Sequence, residues 1–312
     1  MKKIILIDKI FLLTLIPVIF INVYFYLVHF NEYIKFLEIY ISIDGNISEP
    51  KLAFLRILLF LISLLLIVLF RIYENLNLNK KKFGIINHFK SLKKYEKIAF
   101  IFIFILFIPS VLQLIDDNGL KYGPISVFKI IYKEDGFLEY LTALFGLIAS
   151  IILLISVVIK KGKYEIFFKI FLSLFFFIFA MEEISWGQRI IGWETPTGLM
   201  ERNYQNETNI HNFFNPYFQI VYPCFNLIIA LFIYLSINYR EFIIKFFKSE
   251  KYIYLLPNKS HSLFVYIFLI LSIQCQIYTG EVTEEVFSIF ILMYSINQLT
   301  ISKYNNKKFI NK

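Results

Sequence analysis

Cysteine is nearly absent from this 312-residue chain, and its two copies, Cys224 and Cys275, each sit inside an apolar run. No CxxC or mixed Cys/His spacing accompanies them, which excludes a disulfide framework and a thiolate metal site and leaves both as packing residues. Charge is also scarce, at 18% against 58% hydrophobic residues, and this balance excludes a soluble domain. No repeat of about 20–50 residues and no low-complexity linker divides the chain, so residues 1–312 read as a single domain. The bases that give the formal charge of +9 lie in links between apolar runs. Attraction to anionic lipid and control of topology account for them there, and a nucleic-acid partner is not indicated.

The apolar runs have the length needed to cross a bilayer. They predict an all-α, polytopic membrane bundle of about eight spans, near residues 10–30, 52–70, 98–115, 137–159, 166–184, 218–238, 263–278 and 286–301. The first run follows Met1 to Lys3 without a small-residue cleavage site, as in an uncleaved signal anchor. Basic residues retained in the cytoplasm set the orientation. Lys2, Lys3 and Lys9, the series from Arg71 to Lys97, Lys160 to Lys163, Arg240 to Lys259, and Lys303 to Lys312 mark alternate links as inner. The remaining links carry Glu32, Asp44, Glu194, Glu201, Glu207, Glu281, Glu284 and Glu285, while the link from Asp116 to Gly136 is mixed. Both termini therefore face the cytoplasm. Two stretches, Lys121 to Lys133 and Glu241 to Leu256, interleave Phe with Lys as interfacial helices do.

Against this apolar background, residues 182–217 form an extracytoplasmic polar loop. Glu182 and Glu183 occupy the last turn of the fifth span, an expensive position for carboxylates. A continuing helix would align Glu182, Ser185, Trp186 and Arg189 on one face and turn Glu183 elsewhere. A carboxyl is pushed up by desolvation and down by a nearby arginine, so the two glutamates can serve as acid and base. The plainer alternative is a Glu182–Arg189 ion pair, with Trp186 and Trp193 in the interfacial aromatic belt. Gly192 to Gly198 reads as a turn. Beyond it, a helix would line up Asn203, Glu207 and His211 at i, i+4 and i+8. Glu207 and His211 are then candidate ligands for a divalent metal, or a carboxylate and imidazole base, and an ordinary helical hydrogen bond has the same spacing. Gln188, Asn203, Gln205, Asn209 and Asn212, with the two tryptophans, are the candidate substrate contacts, rich in the donors and acceptors that a sugar or phosphate needs. A solvated loop would look similar. Asp116, Glu281 and Glu284 read as solvated caps, and His88 and His261 as cytoplasmic residues without a role.

The series EEISWGQR at 182–189, Trp193-Glu194-Thr195-Pro196, and Asn203-x-Gln205-x-Glu207-x-Asn209-x-His211-Asn212 resembles a group of bacterial multi-pass proteins without an assigned activity, as does, more loosely, Glu134 to Glu139. That resemblance implies that the loop is the group's site; a bacterial inner (cytoplasmic) membrane is the expected location. The paired glutamates are also similar to the EExxxR element of the CAAX-processing intramembrane glutamate proteases. Here five residues, instead of three, separate Glu183 from Arg189.

Three functions compete. A hydrolase or transferase would act at the outer membrane surface on a lipid-linked, glycan or envelope substrate, with Glu182 or Glu183 as acid or base, Glu207 and His211 as second base or metal ligands, and Arg189 as anion clamp. A secondary transporter would use the membrane-edge carboxylates, but calls for polar groups deep in the bilayer. An envelope scaffold or assembly factor would use the loop to bind a partner.

Overall fold

The computed structural model describes residues 89, 92–116, 136–159, 163–200, 207–210, 218–240, 243, 245, 255–273 and 279–310. Long helices dominate: α1 (Lys94–Asp116), α2 (Phe137–Ile159), α3 (Lys163–Glu183), α6 (Phe218–Asn238), α7 (Ser262–Ile273) and α8 (Thr279–Ile310). Two single-turn helices, α4 (Gln188–Ile191) and α5 (Thr197–Met200), lie between α3 and α6. Four helices, α2, α3, α6 and α8, are long and apolar enough to cross a membrane, and α8 is the most buried of them. The expected third run lies within α1, whereas the first two runs, both Phe/Lys stretches except residues 243, 245, 255 and 256, His88 and Cys275 fall outside the described residues.

The helices are amphipathic in the sense suited to lipid, with small and polar residues inside and large apolar ones outside. On α2 the buried stripe is Leu138, Thr142, Ala143, Gly146, Ala149, Ser150, Leu153 and Ser156, while Leu144, Ile151, Leu154, Ile155 and Val158 are exposed. Lipid is as apolar as leucine, so contact between such helices depends on close backbone approach and polar links. Both occur between α2 and α3. A Cβ on Gly146 would lie 2.9 Å from that of Ala180, so only glycine fits this seam. One turn further along, Ser150 Oγ donates to the Ser173 carbonyl at 2.9 Å and Ser173 Oγ to the Ser150 carbonyl at 3.0 Å. The inner stripe of α3 continues the pattern with Glu165, Lys169, Ser173, Phe176, Ala180 and Glu183, opposite exposed Phe167, Phe171 and Phe175.

α8 is the hub, touching α1, α2, α6 and α7, and α7 packs along α6. Its first turns meet the end of α3 and the starts of α2 and α6, and its later turns meet the starts of α1, α3 and α7. The directions of the described helices therefore alternate. The apolar core consists of Phe264, Phe268, Phe287 and Phe290 with Ile103, Leu153, Ile233 and Met293.

Polar ties close the bundle at the end remote from the 182–210 loop. Lys169 Nζ pairs with Glu165 Oε1 at 2.8 Å and donates to Ser302 Oγ at 2.7 Å. Tyr95 Oη donates to Asn297 Oδ1 at 3.0 Å, and burial, with the Glu96 carboxylate beside it, pushes the Tyr95 hydroxyl up to about 12. His261 is buried here as a structural residue. Its Nδ1 accepts the Asn258 N–H at 3.3 Å within a capping box, its ring meets Phe290 edge-on, and burial lowers its pKa to about 4.

One expectation changes. Glu281, Glu284 and Glu285 belong to α8 itself instead of a preceding link, because side chains from other helices partner Glu284 and Glu285 and Glu281 lies within electrostatic range of Glu183. The described part of the predicted seventh span is helical in α7 (Ser262–Ile273), and its residues 274–278 lie outside the described residues.

Candidate functional site

α3 ends at Glu183. Ile184 leaves the helical region, and Ser185, Trp186 and Gly187 take left-handed φ values of 46°, 57° and 80°. For non-glycine residues this conformation costs on the order of 1–3 kcal/mol each, and local hydrogen bonds oppose that cost. The expected continuous helical face of Glu182, Ser185, Trp186 and Arg189 is thus broken by a left-handed turn. Gly187 and Gly192, both left-handed, bracket α4, whose Gln188 carbonyl accepts the Gly192 N–H at 2.7 Å.

Residues 207–210 return to this turn as irregular, bent backbone, so the predicted helical line through Asn203, Glu207 and His211 does not pass through Glu207. Backbone donors that a helix would have satisfied internally are taken up by side chains of the 182–195 stretch. Glu182 Oε2 accepts the Ile210 N–H at 2.6 Å while Oε1 accepts the Trp186 indole N–H at 2.7 Å. Gln188 Oε1 accepts the Thr208 N–H and hydroxyl, both at 2.9 Å, and its Nε2 donates to Thr195 Oγ1 at 2.7 Å. Buried Ser185 donates to Glu207 Oε2 at 2.7 Å, and Asn209 Nδ2 donates to the same oxygen at 2.6 Å and to Ser185 Oγ at 3.1 Å. Trp193 is half-buried, and Ile190, Ile191 and Ile210 are exposed at 64%, 78% and 58%. The Arg189 side chain and residues Asn203, Gln205, His211 and Asn212 lie outside the described residues.

The turn separates the two glutamates. Glu182 faces the loop, and Glu183, only 5% exposed, faces the bundle. There its carboxyl lies within electrostatic range of those of Glu284 and Glu281 from α8 and of Glu139 from α2. Tyr222 of α6 donates its hydroxyl to Glu284 Oε1. Four helices thereby bring four carboxyls and a phenol to one end of the bundle. Glu284, which accepts from Tyr222, departs from the expected solvated cap, whereas Glu281 is partly exposed in the first turn of α8, as a cap would be.

One turn deeper, Asn226 Nδ2 donates to Thr283 Oγ1 at 3.1 Å, and Thr142 Oγ1 donates to Glu285 Oε2 at 2.6 Å. Tyr222, Asn226 and Thr142 went unrecognised in the sequence; the one available signal was the i, i+4 spacing of Tyr222 and Asn226 on an otherwise apolar helix. Among the described residues, no group of three His, Cys, Asp or Glu side chains is arranged to hold a metal ion. No protein-family model matches the chain, and neither a curated protein nor a solved structure is detectably similar to it.

Proposed function

We infer that the chain is a hydrolase or transferase of the bacterial inner membrane, acting at the extracytoplasmic surface on a lipid-linked or envelope substrate. The observation that carries this reading is the Glu183–Glu284 carboxyl pair with the Tyr222 hydroxyl on Glu284. In the reaction, the ionised carboxyl takes a proton from the attacking water or acceptor hydroxyl. The protonated one delivers its proton to the leaving-group oxygen, so the pair exchanges roles in each turnover. Arg189 is the proposed clamp for an anionic headgroup. Glu207 and His211 are proposed as a second base or as ligands of a divalent metal.

About eight spans with both termini cytoplasmic complete the proposed topology, which puts the 182–217 loop outside. The exposed Ile190, Ile191 and Ile210 support a loop resting in the headgroup layer, where a substrate anchored in lipid reaches the carboxyls laterally. The ties of Glu182, Gln188, Ser185 and Asn209 support a positioning role for these side chains, which fixes the turn that aims Glu183 inward.

The test incubates full-length protein in lipid membranes with an envelope lipid extract and compares product profiles by mass spectrometry. A product formed by the wild type and absent with Glu183→Gln and Glu284→Gln supports the enzyme. Identical profiles for the wild type and both variants overturn it.

A further inference from the structure

Glu285 stands apart from the acid pair. Consecutive helical residues diverge by about 100° around the axis, so Glu284 turns to α3 and α6 while Glu285 turns to α2. Glu285 is 0% exposed, and it lies one turn inside the apolar segment of α8 that starts at Glu281. Its Oε2 accepts the Thr142 hydroxyl, but its Oε1 is buried without a hydrogen-bond partner. Along α8 it is flanked by buried Val282, Val286 and Ile289, and Leu138 and Ala143 are buried near Thr142 on α2. The Lys169–Glu165 ion pair lies at the far end of the bundle.

A buried carboxylate with a single neutral donor is a costly arrangement, and native interiors compensate such a charge with a cation or with further hydrogen bonds. Thr142 supplies no charge, and the free oxygen marks the place where a positive partner would sit. We propose that Glu285, with the Thr142 hydroxyl, is a monovalent-cation site at the seam between α2 and α8, taking a proton or a sodium ion on Oε1. A threonine hydroxyl beside a carboxylate suits either occupant, since oxygen ligands hold a small hard cation and a proton needs only the free lone pair. The site is separate from the proposed chemistry at Glu183 and Glu284. Binding at α2 and α8, the two most extensively packed neighbours of the seam, gives the chain a means of coupling cation occupancy to helix packing.

The experiment is infrared difference spectroscopy on full-length protein in lipid films, exchanging sodium for choline, with Glu285→Gln as the isosteric control. Loss in the variant of a neutral-acid C=O band that ignores sodium identifies a proton as the occupant. Loss of carboxylate bands that shift when sodium replaces choline identifies sodium. If the variant removes no band, or only carboxylate bands that ignore sodium, Glu285 is an uncompensated charge or has no cation site, and the proposal is overturned. Thr142→Val guards against a misfolded Glu285→Gln: it keeps the carboxyl, removes its hydrogen bond and must shift the same band. Loss of product with Glu183→Gln would leave these bands in place, so failure of the enzyme reading and failure of the cation site are told apart.

Discussion

The Ile210 amide donates to Glu182 Oε2 at 2.6 Å across a chain separation of 28 residues. The same carboxylate holds the Trp186 indole, so one side chain ties the end of α3 to the returning limb of the loop and to the left-handed turn between them.

Glu182→Ala releases both donors. A charge-assisted hydrogen bond contributes about 1.5–3 kcal/mol when shielded from water, and the exposure of Ile210 moves the expected loss toward the low end of that range. A lowered melting temperature in detergent, together with a red-shifted tryptophan emission, is the expected result. Unchanged values would show that the clasp is unimportant.

Glu183→Gln keeps the size and hydrogen-bonding capacity of the side chain while removing its acid–base chemistry. Product formation is expected to fall by at least about 100-fold, in line with the usual share of general acid–base catalysis, with the melting temperature held or raised because a set of like charges loses one member. A parallel loss of stability would instead assign Glu183 a structural role.

Gly146→Val forces α2 away from α3, because even a Cβ would lie 2.9 Å from that of Ala180. Overpacking of this kind costs about 1–3 kcal/mol, read as a lower denaturation midpoint. Since α2 carries Glu139, within electrostatic range of Glu183, product formation should fall as well.

His261 sets a pH dependence of stability. Its pKa is near 4 in the folded protein against 6.5 for the free side chain, because burial disfavours the imidazolium. Below pH 6.5 the unfolded chain binds a proton that the folded chain refuses. The stability associated with neutral His261 is therefore complete above pH 6.5, falls as pH drops toward 4, and levels off below, for a total of about 3 kcal/mol. His261→Gln should flatten denaturation midpoints across this window. If the wild type is already flat, the buried neutral imidazole is ruled out.

Trp186 and Trp193 are the only tryptophans, so Trp186→Phe leaves Trp193 as a depth gauge. Lipids brominated at graded depths should quench it most strongly with bromine nearest the headgroups, as expected of an interfacial aromatic. No quenching at any depth would place the loop away from the membrane.

Much of the architecture is legible in one dimension. The 137–159 and 218–238 runs coincide with α2 and α6, because a run of apolar residues of bilayer length has few alternatives to a helix. The polar density of residues 182–212 likewise marks the loop as unusual. Its internal geometry was not readable, because helical spacing assumes that the helix continues, and Ser185 and Trp186, neither of them glycine, adopt the left-handed conformation that stops it.

The sequence by itself determined where most of the described long helices run and that two glutamates stand at the end of one of them. Only the tertiary structure decided that Glu182 is held by Trp186 and Ile210 while Glu183 pairs with Glu284, and that Glu285 turns to Thr142. The physical reason lies in the solvent. Where lipid is as apolar as the protein interior, hydrophobic periodicity does not reveal which face of a helix points inward. Rotation and depth are set by a few small residues and polar ties, such as Gly146 against Ala180 and Ser150 against Ser173. Their partners lie on other helices and cannot be read from local spacing.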